Sequence, residues 1–385
     1  MKYRWESYVK YHGKDELAKF CKEFYGDNPK EKVLFMQGKG FDPRMNNTLA
    51  LLLENVKGLQ LDCLTFDFPD SGNHDQNRKL YKDNVKEMEA LQKKYGFTLT
   101  EIPIETTQSW EKRIANMSRQ VAERDLSQYR DVILDVSSLP RAFYFNIAKA
   151  LFTKMKDDKT KNLFFTVSEN VEIDKGIETN VATDNVEALP GFKSMLSIEA
   201  ILDRICILIA LIGERHVKLL KGIYDTFKPS DMFPVLPFPS KNSPRRADDL
   251  MQEYHQFFEE KLFHDPLSIT YADEQNPFEL YRIVSQMIWE HKKTLKPISE
   301  NVCFGIALLT SKLLSLGGLL IGLEFNDCVA IYNVSSRDYT IEDANVLKEL
   351  NKSSEPFLLW ITGEAYPMFK LEVQFVKSVN CAFGQ

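Results

Sequence analysis

Two hydroxyls, a proline and a cation stand together where an apolar run ends, in Asp135-Val136-Ser137-Ser138-Leu139-Pro140-Arg141. Proline suits the first helical turn, so Ser138 or Leu139 would cap a helix whose unpaired amides lie beside the hydroxyls. Two hydroxyls, exposed N–H groups and a guanidinium make a cradle for a phosphate or carboxylate. The competing reading is that Ser137 and Ser138 only cap the helix while Arg141 pairs with an acidic neighbour. Thr310-Ser311-Lys312 repeats the chemistry later in the chain, with its cation two positions nearer the hydroxyls.

Three further segments carry charge at the ends of apolar runs. Gly38-Lys39-Gly40-Phe41-Asp42-Pro43-Arg44 has neither the GxxxxGK[ST] of a P-loop nor the GxGxxG of a dinucleotide fold, so no ATP, NAD or other cofactor is assigned. Lys39 and Arg44 there either face a ligand or are solvated charges on a turn. Arg245 and Arg246 open a helix, where cations oppose the macrodipole; they need an anion, a partner surface, or pairing with Asp248, Asp249 or Glu253. Asn276, after Asp273 and Glu274, either receives a ribose or sugar hydroxyl or caps the next helix. The candidate ligand-binding residues are thus Lys39, Arg44, Ser137, Ser138, Arg141, Arg245, Arg246, Asn276, Thr310, Ser311 and Lys312.

Other chemistries find little support. The six histidines are scattered without HxxxH or HxH, and the six cysteines show no CxxC spacing, so no metal site and no disulfide are expected. No GxSxG elbow accompanies the serines, and no catalytic residue is assigned. A net charge of −6 argues against bulk nucleic-acid binding, although a local basic groove is compatible with it. The longest apolar stretch, Ile205 to Ile212, is too short to span a bilayer, and no signal-like segment precedes it. A cytoplasmic protein is expected.

These residues need strands and helices to position them, and the elements come twice. Val33 to Gly38 corresponds to Ile205 to Gly213, Leu64 to Pro69 to Val235 to Pro239, and Asp135 to Arg141 to Ala307 to Lys312, at spacings of about 170 to 175 residues. Each half alternates short β-rich runs with helical patterns, the signature of a parallel, doubly wound sheet. The fold class expected is α/β: two tandem Rossmann-like sheets forming a pseudo-dimer. Residues 1–31 are expected to form a helical segment, 32–170 the first unit, 171–200 a connector and 201–334 the second unit. Residues 335–385 would then be a β appendage, with strands at 357–361 and 369–373.

The two hydroxyl-rich turns resemble those of CARF domains, ligand-sensing Rossmann-like domains of prokaryotic antiviral systems. In that family a strand, a Ser/Thr/Gly turn and a Lys or Arg lie at the floor of a cleft between two domain copies, where a cyclic nucleotide sits. Asp135 to Arg141 match that description in type, and Thr310-Ser311-Lys312 would be the counterpart in a fused second copy. The glycine-rich form of the turn is absent, and no winged-helix, HEPN-like or PD-(D/E)xK effector segment follows. The resemblance implies a sensor for a phosphorylated or nucleotide-like small molecule, working with a protein partner encoded nearby. An enzyme acting on a phosphosugar or nucleotide, and an interaction scaffold, stay open as alternatives.

Overall fold

The computed structural model describes residues 3–68, 74–105, 107–181, 186–193, 205–241, 243–261, 268–299, 301–333 and 336–366. The chain opens with β1 (Val9–His12) and α1 (Lys14–Tyr25). The first unit is β2 (Lys32–Lys39), α2 (Asn47–Asn55), β3 (Gln60–Asp67), α3 (Asp75–Tyr95), β4 (Thr98–Pro103), α4 (Trp110–Glu123), β5 (Tyr129–Asp135), α5 (Arg141–Met155) and β6 (Asn162–Glu169). After α6 (Val171–Gly176) and β7 (Ile177–Val181) comes the second unit. It is β8 (Ile205–Leu211), α7 (Val217–Phe227), β9 (Asp231–Pro237), α8 (Arg246–Lys261), β10 (Thr270–Ala272), α9 (Pro277–Leu295), β11 (Val302–Leu308), α10 (Lys312–Glu324) and β12 (Val329–Tyr332). β13 (Ser336–Ile341), α11 (Ala344–Asn351) and β14 (Glu355–Thr362) follow.

Both units have the same parallel strand order. In the first it is β4-β3-β2-β5-β6, and in the second β10-β9-β8-β11-β12, so each reads third, second, first, fourth, fifth. Helices on both faces bury such sheets, which is why the central strands are apolar along nearly their whole length rather than alternating. Ser138 and Ser311 each stand three residues beyond the end of the fourth strand. The expected duplication is therefore present in the topology.

The helices that follow the fourth strands, α5 and α10, pack against each other. α10 is apolar on every side and almost wholly buried, as a helix between two layers must be. One continuous core contains Phe143, Ile147 and Leu151 of α5 with Leu316, Leu319 and Leu320 of α10, so the units share their interior.

The ends of the chain differ from expectation. Residues 9–12 form a strand inside the segment expected to be helical, and β14 is not an appendage: it joins the first sheet, antiparallel to β6, with β1 antiparallel beyond it. The result is a seven-stranded mixed sheet. The connector carries β7, which pairs antiparallel with β13. The second tail strand, expected at 369–373, lies outside the described residues. Among those described, no helix is long and apolar enough to cross a membrane.

Candidate functional site

The carboxyl ends of parallel strands gather loops and helix N-termini, and here both units contribute theirs to one cleft of about 820 Å³. Its floor begins at Asp135, the last residue of β5. That buried carboxylate accepts from the Ser137 amide at 2.9 Å and the Thr166 hydroxyl at 2.8 Å, which shapes the turn. Burial raises its pKa, opposed by these hydrogen bonds. Ser137 is fully buried, and its hydroxyl accepts the Ser168 amide at 2.9 Å. The Ser138 hydroxyl donates to the Gly38 carbonyl at 2.8 Å, closing the first-strand loop against the fourth-strand loop.

The two cations cross between the units. Arg141 donates through Nη1 to the Leu308 carbonyl at 2.7 Å and to Asn333 Oδ1 at 3.0 Å, and through Nη2 to the Thr310 carbonyl at 2.6 Å. Lys312 donates in return to the Ser137 carbonyl and lies 3.6 Å from Asp42. Arg44, 1% exposed, is forked onto Asp42 at 2.9 and 2.8 Å and paired with Asp174 at 2.8 Å. Burial alone would raise the Asp42 carboxyl, but Arg44 and Lys312 outweigh it and hold it at about 2. Burial pulls the Lys312 ammonium down, with Asp42 opposing.

The second unit lines the opposite side. Arg246, expected to meet an anion, a partner surface or one of Asp248, Asp249 and Glu253, is held instead by Glu214 at 2.6 and 2.7 Å and by Glu274. Ser311 caps α10 by accepting the Leu314 amide at 3.2 Å. His216, the residue before α7, makes no side-chain cap; burial, then Arg141, lowers its pKa to about 4. Arg215 and Lys218 line the cleft with exposed side chains that have no hydrogen-bond or ion-pair partner among the described residues. Arg215 adopts a left-handed backbone, φ 64°, and its amide donates to Glu253 at 2.6 Å.

Of the eleven candidates, Arg44, Ser138, Arg141, Arg246, Thr310, Ser311 and Lys312 line the cleft, whereas Ser137 is fully buried and does not. Lys39 does not line it: β4 beside β3 offers it Glu101 at 3.0 Å and Asp67 at 3.4 Å. Arg245 points to solvent and pairs with Asp248 at 3.4 Å, and Asn276 caps α9 while donating to Tyr8 at 2.8 Å. Arg44, Arg141, Arg246 and Lys312 are all engaged by protein oxygens. Asp135, Phe68, Trp110, Asp174, Lys218, Asn333 and Tyr339 went unassigned in the sequence. Lys218 alone left a signal, as a cation in the first turn of a helix after a strand. Among the described residues, seven Lys and Arg side chains and three carboxylates line the cleft, a local positive excess in an acidic chain.

No family model matches the chain, and no curated protein matches it. Among solved structures it is distantly similar to a putative universal stress protein from Pseudomonas aeruginosa UCBPP-PA14, at 11% identity over 84% of this chain and 96% of that one, TM-score 0.23. It is similar to UDP-GlcNAc 2-epimerase from Methanocaldococcus jannaschii at 10% identity over 83% and 98%, TM-score 0.22. The same enzyme from Neisseria meningitidis gives 9% over 83% and 97%, TM-score 0.23.

Proposed function

We propose that the cleft between the units binds a small phosphorylated or nucleotide-like anion, and that the protein is a sensor or regulatory component of the kind the CARF resemblance implies. The observation that carries this reading is the concentration of positive charge in one cleft of a chain with net charge −6. Low-dielectric walls focus the field of such a cluster, so an anion is drawn there despite the acidic whole. Binding also bears on the inter-unit contacts, because Arg141 and Lys312 line the same cleft and hold the two units to each other. A ligand there biases the geometry between the units, as a sensor requires.

Turnover is the second reading. Among the described residues His216 is the one imidazole lining the cleft, and a pKa near 4 makes it a poor general base at neutral pH, which favours binding over chemistry.

Thermal unfolding with a panel of nucleoside phosphates, cyclic nucleotides and phosphosugars tests the proposal. A true ligand at about 100 times its Kd stabilises by ~2.7 kcal/mol, a clear rise in Tm. The reading fails if no phosphorylated compound shifts Tm at millimolar concentration. Product formation from a stabilising ligand transfers the assignment to the enzyme class.

A further inference from the structure

The topology around the cleft is duplicated, but its lining chemistry is not. We infer that the ligand is itself two-ended, a mononucleotide-like molecule whose planar heterocycle lies against the first unit and whose phosphate lies against the second. This rests on the anion-binding reading above and adds the ligand's class and orientation.

The first unit contributes an aromatic wall. Phe68, one residue beyond the second strand, lines the cleft; Phe238, at the matching position of the second unit, is 53% exposed and lies outside it. Phe68 and Trp110 both meet the buried Phe143 edge to face, at 4.9 and 4.8 Å between ring centroids, which fixes their planes. Trp110 Nε1 is buried without an acceptor among the described residues. Fixed rings with a spare donor suit a heterocycle that carries acceptors on its edge.

The free charge is on the other side. Arg44 and Arg141, from the first unit, are engaged by carboxylates and by carbonyls of the second. The cleft cations without partners among the described residues, Arg215 and Lys218, both belong to the second unit and stand three residues apart. A twofold-symmetric ligand would set one of its bases on that charge and one of its phosphates on the aromatic wall. A molecule with one ring and one phosphate matches both sides.

Calorimetric titration of the full chain with the 5′-nucleoside monophosphates, their nucleosides, ribose 5-phosphate and cyclic di-AMP and di-GMP tests this. At least one monophosphate should bind one per chain, about tenfold or more tighter than its nucleoside and than ribose 5-phosphate. Trp110→Ala should weaken that monophosphate about tenfold and leave ribose 5-phosphate unchanged. Arg215→Ala with Lys218→Ala should weaken both phosphates and spare the nucleoside. Trp110→Phe keeps the ring in place should the alanine variant not fold, and should lose only the contribution of the donor. A cyclic dinucleotide bound more tightly than every monophosphate, or ribose 5-phosphate bound as tightly as the best of them, overturns the two-ended ligand and leaves the anion site standing. Unchanged monophosphate affinity in both alanine variants overturns it as well. If no phosphorylated probe binds, the anion site itself is refuted.

Discussion

Arg141 and Lys312 hold each other's turns. Each is the first residue of the helix after a fourth strand, and each donates to main-chain carbonyls of the opposite unit: Arg141 to Leu308 and Thr310, Lys312 to Ser137. This is the reciprocal pattern of an isologous dimer contact, preserved within one chain. The loop before Arg141 is two residues longer than that before Lys312, so the two cations match by their place on the helices rather than by their distance from the serines.

Arg141 would scarcely affect stability if it served only a ligand, and the exchange reverses that expectation. Arg141→Ala strips donors from two carbonyls and from Asn333, and leaving a buried acceptor unsatisfied costs roughly 1–3 kcal/mol. A loss of about 2–4 kcal/mol in urea unfolding is expected. Arg141→Lys should recover only part of it, because an ammonium cannot reproduce the planar fork. An alanine variant as stable as the parent would show that the bridge contributes nothing.

The glycines behind these turns make a matched pair with unequal tolerance. A methyl on Gly213 would stand 2.1 Å from the Leu309 carbonyl oxygen, and one on Gly38 2.9 Å from that of Ser138. Both neighbours are backbone, so relief requires moving the fourth-strand loop. Overpacking of this kind costs roughly 1–3 kcal/mol, and Gly213→Ala should exceed Gly38→Ala in a shared denaturant series. The reverse order would mean that the second-unit loop yields more easily than its packing implies.

Trp5 joins three distant parts of the chain. Its ring meets Phe152 of α5 at 5.8 Å and Tyr281 of α9 at 5.0 Å, while its Nε1 donates to the Ile361 carbonyl of β14 at 2.9 Å. Trp5→Ala should cost about 3–5 kcal/mol, the range for deleting a buried aromatic. Equilibrium unfolding measures it, and a change below about 1 kcal/mol would remove Trp5 from the residues that couple the units.

Much of this was legible because central parallel strands are read directly from continuous apolar runs such as Val33 to Met36 and Ile207 to Ile212. The turns at Ser138 and Ser311 were legible as residue types beside such runs. Pairings set by the fold were not. β14 docks on β6 through partners such as Phe357 and Val167, and no local pattern encodes so distant a register. The acceptors of Arg141 are carbonyls, which every residue carries, so the sequence cannot mark them. Lys39 shows the same limit: its carboxylate partner Glu101 is near only because β4 lies beside β3.

Two titratable groups near the cleft, Glu169 and His216, make opposed contributions to stability between about pH 4 and 7. Burial and then Asp174 raise Glu169 to about 7, against the pull of Arg44, Ser311 and Lys312. The folded state therefore holds a proton that the unfolded chain has released above about 4.5. That contribution is complete below about 4.5 and is lost as pH rises through about 7. His216, lowered from 6.5 to about 4 by burial and by Arg141 with Glu214 opposing, acts in the other direction. Its contribution is complete above about 6.5 and is lost as pH falls through about 4. Asp42, held near 2, matters only in stronger acid. The parent profile should be shallow across this window, while Glu169→Gln leaves stability rising with pH to about 6.5 and His216→Gln leaves it falling to about 7. Urea midpoints across the window read both slopes, and parallel profiles for parent and variants would show that neither group titrates differently on folding.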